Sequence, residues 1–294
     1  MPATRRYTSS SNQATFRSDH PLSNAMIAHY APSVLAEEAH ESRGERYAFI
    51  PTINVLDGLR AEGFEPYEVR QTRCRDAGKR EHTKHLVRLR HPDAGAATFG
   101  GKEVPEIVLL NSHDGSSSYQ LMSGLFKMIC SNGLIAGDIC DDIRIRHSGN
   151  VVQDAIEGSF RVLDNIKKVG ERVDMYRSTL LTPGEQSAFA EAAVELRWGS
   201  DPETGTSLAP IYNASQVLIP RRYEDRKDDA FTVFNRAQEN LIQGGLSGRS
   251  TSGRRSRTRE VGGVNENVRL NKGLWTLMDA LVRHKNGEEI LRAA

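Results

Sequence analysis

The stretch VPEIVLLNSHDGSSSYQL, residues 104–121, joins an apolar run to a run of small polar residues, and the fold of the N-terminal half depends on it. Its apolar part, residues 105–111, has no polar face, which predicts a strand in the centre of a sheet. Asp114-Gly115 is typical of a turn, and we interpret Asp114 and the serines as caps of a helix that follows. Such a helix N-terminus also suits contact with an anion. The residues assigned to capping and anion contact are Asn111, His113, Asp114, Ser116 and Ser117.

The same stretch contains the residue types of an active site, but its spacing disfavours catalysis. Ser112, His113 and Asp114 are consecutive, and consecutive side chains diverge, so they cannot hydrogen-bond in series as a catalytic triad must. A metal site at His113 and Asp114 would need a third ligand, and no H-E-x-x-H or paired Cys/His spacing supplies one. The candidates for that ligand are His82, His85 and His147. The sequence therefore predicts no catalytic residue and no metal or other cofactor.

Segments on either side of this stretch show the two-residue alternation of strands. They are PYEVRQTRCR at 66–75, TKHLVRLRH at 83–91 and DIRIRH at 142–147. Helices are predicted before and after the polar turn. Ile53, Leu56 and Leu59 recur at helical spacing, and Leu121, Leu125, Met128 and Ile129 form a second apolar stripe. The N-terminal part is thus predicted to be α+β, with a helix and a small antiparallel sheet.

The C-terminal half has helical periodicity throughout. Residues 151–181 carry apolar residues at steps of three, four or seven, and Thr182-Pro183-Gly184-Glu185 is a capping box with proline at the first helical position. Helices are also predicted near 229–243 and 268–284. These patterns predict a mobile arm at 1–20, an α+β domain at 21–150 and a helical region at 151–294.

Composition limits the cellular setting. The chain has 294 residues, a mean hydropathy of −0.52 and a formal net charge of +1, with no apolar run that approaches the roughly 20 residues of a membrane helix. Its N-terminus lacks the apolar segment of a secretory signal. Three cysteines form no CxxC pair. We expect a cytoplasmic protein with reduced thiols and no membrane contact.

A basic loop at 244–263 is the clearest charge feature of the chain. Between Gly244 and Arg259 there is no acidic residue, and the five arginines are Arg249, Arg254, Arg255, Arg257 and Arg259. Glycine and serine between them predict a mobile segment, and guanidinium groups fit phosphate oxygens. The loop is either a solvated linker or a contact to a nucleic-acid backbone.

Several long motifs resemble the YfjQ/YafZ/YubP-like family of prophage and plasmid proteins, a domain of unknown function. They include HESRGERYAFIPT, TKHLVRLRH, VPEIVLLNSHDGSSSYQL, CSNGLIAGD, QENLIQGGLSGRS and LNKGLWTL, and the resemblance runs from about Pro21 to about Leu281. It implies carriage on mobile elements and brings no activity or catalytic residues.

The order of elements is also similar to the core of Rad52-type single-strand annealing proteins, in which a helix and three strands precede another helix. That resemblance implies a homo-oligomer, possibly a ring, that holds single-stranded DNA in a basic groove. Here the groove would be lined by Arg70, Arg73, Arg75, Lys84, Arg88 and Arg90.

Three functions follow as hypotheses. The first is a DNA-binding protein of mobile genetic elements that binds or anneals single strands in recombination. The second is a protein-binding counter-defence factor of phage or plasmid, and the third is a metal-dependent nuclease that uses His113 and Asp114. Salt dependence separates the first two, because only phosphate binding must weaken steeply with added salt.

Overall fold

A computed structural model describes most of the chain. The described residues are 14–42, 49, 51–72, 74, 76–94, 103–127, 132–135, 143–145, 150–249 and 253–288. The chain forms two compact units. Apart from short exchanged pieces, the first runs to Lys167 and the second begins at Lys168. No helix among the described residues combines the length and apolar character that crossing a bilayer requires.

Within the described residues, an antiparallel sheet of seven strands forms the centre of the first unit. The strands are β1 (Ala14–Arg17), β2 (Glu65–Gln71), β3 (His85–Arg90), β4 (Glu103–Asn111), β5 (Tyr119–Lys127), β6 (Asn132–Ile135) and β7 (Ile143–Ile145). Strands β1 to β6 lie side by side in chain order, and β7 pairs with the start of β5. This simple meander brings residues that are distant in sequence, such as His85 and Asn111, into direct register.

Helices of the first unit bury the apolar residues of the sheet. They are α1 (Asn24–Tyr30), α2 (Thr52–Ala61) and α3 (Val151–Ser178), the last of which continues into the second unit. Val55, Leu56 and Leu59 of α2 share one buried cluster with strand residues and with Ala155 of α3. A Cβ on Gly58 would lie 2.7 Å from Val152 Cγ1, so glycine allows the two helices to approach closely.

The second unit is mainly helical, as predicted. It contains α4 (Pro183–Trp198), α5 (Ala230–Gln243) and α6 (Val264–Lys285), together with a two-stranded hairpin of β8 (Ser247–Arg249) and β9 (Arg255–Arg257). Thr182 and Glu185 form the predicted capping box at α4. Trp275 of α6 is fully buried against Tyr176 and Phe234. The α+β class, with a sheet first and helices afterwards, is confirmed.

Three local predictions differ from the structure. The structure has strand β5 where a helix was expected after the polar turn. Because β5 is apolar on both faces, its sequence fits the spacing of a helical stripe as well as that of a buried strand. The arm expected through residue 20 contains strand β1, where Phe16 stacks on Tyr30 at 4.1 Å between ring centroids. The basic loop contains the β8–β9 hairpin, with residues 250–252 outside the described part.

Candidate functional site

The polar turn at 111–118 connects β4 to β5 and precedes no helix. Asp114 Oδ1 accepts the backbone N–H of Ser116 at 2.9 Å, Ser112 Oγ accepts that of Ser117 at 2.8 Å, and Gly115 has a φ of 74°. Partial burial opposes ionisation of Asp114, but hydrogen bonds from Ser116 and Ser112 lower the pKa of its carboxyl below the usual value. Capping of a helix by Asp114 and the serines was therefore wrong, and these residues stabilise a hairpin turn instead.

Thr52, the first residue of α2, is the centre of a buried polar cluster. Its hydroxyl lies 2.9 Å from His85 Nε2 and 3.3 Å from His113 Nε2, and it accepts hydrogen bonds from Asn111 Nδ2 and Tyr119 OH, both at 3.0 Å. All five side chains are fully buried. The cluster thus fixes the start of α2 on the sheet.

The protonation of His85 follows from its two neighbours. His85 Nδ1 lies 3.2 Å from the Thr83 carbonyl, so Nδ1 carries the proton and Nε2 accepts one from the Thr52 hydroxyl. Burial lowers the pKa of His85 to about 4, although the Thr83 carbonyl opposes that shift. His85 is therefore neutral in the folded protein near pH 7.

The nuclease hypothesis lacks a geometric basis. His113 is held in the Thr52 cluster, whereas Asp114 accepts hydrogen bonds within the turn. Among the residues that the structure describes, no group of three His, Cys, Asp or Glu side chains is placed to hold a metal ion. His147, one of the candidates for the third ligand, lies outside the described residues.

The predicted basic groove on β2 and β3 is largely neutralised by acidic partners. Glu106 pairs with Arg88 at 3.2 Å and with Arg90 at 3.0 Å, and Glu68 pairs with Arg70 at 3.5 Å and with Arg17. Burial disfavours the charged form of Glu68, but Arg17, Arg88 and Arg70 hold its pKa at about 2. This network connects four neighbouring strands.

Two residues of that groove are not available as predicted. The Arg88 side chain is 3% exposed and Lys84 is buried, so neither is presented to a DNA backbone. Arg70 and Arg90 remain partly exposed, each with its carboxylate partner. Arg73 and Arg75 lie outside the described residues.

Two glycines make room for the Arg88 guanidinium. Arg88 Nη2 donates to the Gly133 carbonyl at 3.0 Å. A Cβ on Gly133 would lie 2.5 Å from Arg88 Cζ, and a Cβ on Gly124 would lie 3.1 Å from Arg88 Nη1. The side chain therefore lies flat on glycine backbone at the far strands of the sheet.

The β8–β9 hairpin places three arginines on one face. Arg249 is directly opposite Arg255, and Ser247 is opposite Arg257. Since opposed residues and residues two apart share a face of an antiparallel pair, Arg249, Arg255 and Arg257 project together. All three are exposed. We call Arg249, Arg255 and Arg257 the arginine face.

The arginine face has no carboxylate partner within the described part of the chain. Arg249 Nη1 donates to the Gly253 carbonyl at 3.2 Å, and no ion pair involves Arg255 or Arg257 there. Of the other predicted arginines, Arg254 and Arg259 are also exposed. The arginine face thus presents a concentrated positive charge that no carboxylate among the described residues neutralises.

The opposite face of the hairpin packs against the rest of the second unit. Gly248 packs so closely that an added Cβ would lie 1.9 Å from the Pro210 carbonyl oxygen. Gln216 Nε2 donates to the Ser247 carbonyl at 3.0 Å, and Leu246 and Thr258 continue the ladder at 2.8 Å. The arginine face is consequently held on a defined backbone and not on a free loop.

Known proteins give the chain a family but no activity. The family model described as "Domain of unknown function (DUF932)" matches residues 39–275. The UPF0380 proteins YafZ and YfjQ of Escherichia coli (strain K12) are 48% and 47% identical over 266 residues, which is 90% of this chain and 93% of each relative. No solved structure matches the chain significantly. With a family model that spans most of its length and two relatives at nearly half identity, the chain belongs to the DUF932 family.

Proposed function

We propose that the protein binds single-stranded DNA through phosphate contacts on the arginine face. One observation carries the proposal, namely that Arg249, Arg255 and Arg257 project from one face of a fixed hairpin. Like charges directly opposite one another destabilise a strand pair, so the Arg249–Arg255 pair costs free energy until an anion neutralises it. Guanidinium groups bind phosphate oxygens with two parallel hydrogen bonds.

A polyanion fits this face better than a small anion does. Residues two apart on one strand are separated by roughly 7 Å along the strand. A single phosphate therefore reaches only part of the face, whereas successive phosphates of a nucleic acid reach all three arginines. Each such contact releases counterions and contributes about 0.7 to the salt slope of binding on single strands.

The proposal is limited to binding. Strand annealing and ring formation were expected from an order of elements that includes a helix after the polar turn, and β5 occupies that place. The homo-oligomer that the resemblance implies stays a prediction, to be tested by light scattering with and without single-stranded DNA.

The test compares two triple variants in full-length protein. Arg249→Ala/Arg255→Ala/Arg257→Ala should flatten the salt slope by about 2, which is three contacts at about 0.7 each. Affinity should fall about equally for unrelated sequences because phosphates carry no sequence information. The matched control is Arg161→Ala/Lys167→Ala/Lys168→Ala, which removes the same charge from exposed positions of α3. Fluorescence anisotropy of a labelled oligothymidylate at several salt concentrations gives both quantities.

Three outcomes contradict the proposal. Equal losses in both triple variants would mean that net charge alone governs binding. Absence of salt-sensitive binding in the unmodified protein would instead favour the protein-binding hypothesis, for which the second unit also offers exposed apolar side chains such as Leu208 and Ile219. DNA binding that requires a metal ion, and is therefore abolished by EDTA, would support the nuclease hypothesis instead.

A further inference from the structure

Two strongly exposed tyrosines lie on the segment between α4 and α5. Tyr212 is 57% exposed and Tyr223 is 79% exposed, although large aromatic side chains are usually well buried. The segment has only short 3₁₀ turns, Ala214–Leu218 and Tyr223–Arg226. Its conformation therefore depends on contacts with neighbouring elements.

One glutamine connects Tyr212 to the hairpin. Gln216 Oε1 accepts the backbone N–H of Tyr212 at 2.7 Å, while its Nε2 donates to the Ser247 carbonyl at 3.0 Å. Immediately before Tyr212, the backbone of Pro210 and Ile211 lies against Gly248. Tyr212 is thus held beside β8, the strand that carries Arg249.

Arg221 fixes the part of the segment next to Tyr223. Its guanidinium donates to Asn240 Oδ1 at 2.8 Å, to Gln243 Oε1 at 3.0 Å and to the Gly244 carbonyl at 2.7 Å. All three acceptors are neutral, and Gly244 begins the connection to β8. Tyr223 follows two residues later, with the Arg226 guanidinium carbon 5.4 Å from its ring centroid.

Exposed rings on a segment that is hydrogen-bonded to the arginine-bearing hairpin have the composition of a single-strand binding surface. Aromatic side chains stack on unpaired bases whatever the sequence, and basic side chains hold the backbone. Bases within a duplex are already stacked and do not offer their faces. We infer that Tyr212 and Tyr223 stack on unpaired bases of a DNA strand whose phosphates lie on the arginine face. This inference rests on the proposed function and adds selectivity for single strands over duplex.

The experiment measures single-strand and duplex affinity separately in the full-length protein. Tyr212→Ala and Tyr223→Ala should each weaken binding of oligothymidylate by about five- to a hundredfold, the range measured for loss of one base–aromatic stack. Affinity for a duplex of the same length should stay unchanged, and so should the salt slope, since no phosphate contact is lost. Quenching of tyrosine fluorescence by the oligonucleotide should diminish in both variants.

Two controls separate stacking from other effects. Tyr212→Phe and Tyr223→Phe keep the ring and should bind like the unmodified protein. Leu180→Ala removes another exposed apolar side chain of the second unit and should have no effect on DNA binding. Thermal midpoints of all variants show whether any of them has lost its fold.

The outcomes distinguish this inference from the proposed function. Salt-sensitive DNA binding that is indifferent to both tyrosines would refute stacking and leave the arginine face intact. Equal weakening of single-strand and duplex binding would also refute it. If the unmodified protein binds neither nucleic acid, the proposed function itself fails, and the tyrosines then belong to a surface for a protein partner.

Discussion

Arg88 illustrates how single residues in this protein depend on positions far away in sequence. Its charge is balanced by Glu106 at 3.2 Å, and its guanidinium reaches the Gly133 carbonyl at 3.0 Å. Removing one partner of a buried ion pair leaves an uncompensated charge and is strongly destabilising. The arginine that the sequence assigned to a DNA groove is therefore part of the sheet's own stability.

Gly133→Ala should destabilise the folded protein by about 1 to 3 kcal/mol, the usual cost of forcing an extra group into a filled space. The added Cβ would lie 2.5 Å from Arg88 Cζ, so the guanidinium must leave its site. Gly184→Ala is the matched control, because nothing lies within 4 Å of the added group and alanine favours helix α4. Urea denaturation measures both, and a Gly133→Ala protein as stable as the control would disprove the packing argument.

Helix α2 depends on the hydroxyl at its first residue. Thr52→Val keeps the shape of the side chain but deprives His85, Asn111 and Tyr119 of a hydrogen-bond partner in a fully buried place. We expect a loss of about 2 to 3 kcal/mol in the free energy of unfolding. The same exchange at the exposed Thr206 should cost almost nothing. Similar midpoints for the two variants in urea would mean that the cluster contributes little.

Elements with local start signals were predictable from the sequence, and those defined by distant partners were not. The capping box at Thr182 located α4, and alternation located β2 and β3. Strand β5 was misread because it is buried on both faces, and a doubly apolar run has no informative period.

The candidate site was only partly predictable. The run of arginines was visible in the sequence, but three of them share a face only because β8 and β9 pair in a particular register. The exposure of Tyr212 and Tyr223 could not be predicted, and the attachment of Tyr212 to β8 depends on the side chain of Gln216. Arg88 looked like Arg70 and Arg90 because the strand pattern does not show which arginine is buried by its carboxylate and glycine neighbours.

At the scale of the whole molecule, charge is concentrated and not spread evenly. The formal net charge is only +1, yet the arginine face has no acidic partner in the described part of the chain. Acidic side chains elsewhere, such as Glu68 and Glu106, form ion pairs with arginines in the buried network of the first unit. Attraction to a polyanion is therefore expected to be local and strongly salt-dependent.

Stability should fall on acidification below about pH 6.5, the ordinary pKa of histidine. Because the folded protein holds the pKa of His85 at about 4, the unfolded chain binds one more proton between these values, and protonation favours unfolding there. From about pH 7 to about pH 5 this group alone removes about 2 kcal/mol of the free energy of unfolding.

Denaturation midpoints across this pH range test the expectation. A His85→Gln protein is less stable throughout, but it lacks the titrating group and should show a flatter dependence on pH. Parallel curves for the two proteins would assign the acid sensitivity to other groups.

Arg88 lies flat on Gly124 and Gly133, so a substitution at any one of these three positions, which lie on three different strands, limits which residues the other two can accept. A descendant that acquires a side chain at 133 must also shorten the residue at 88, which removes one arginine partner of Glu106 and leaves it Arg90 and Arg17. Changes at these sites should accordingly appear together across the divergent members of the family, whereas the hairpin arginines are free to exchange one at a time.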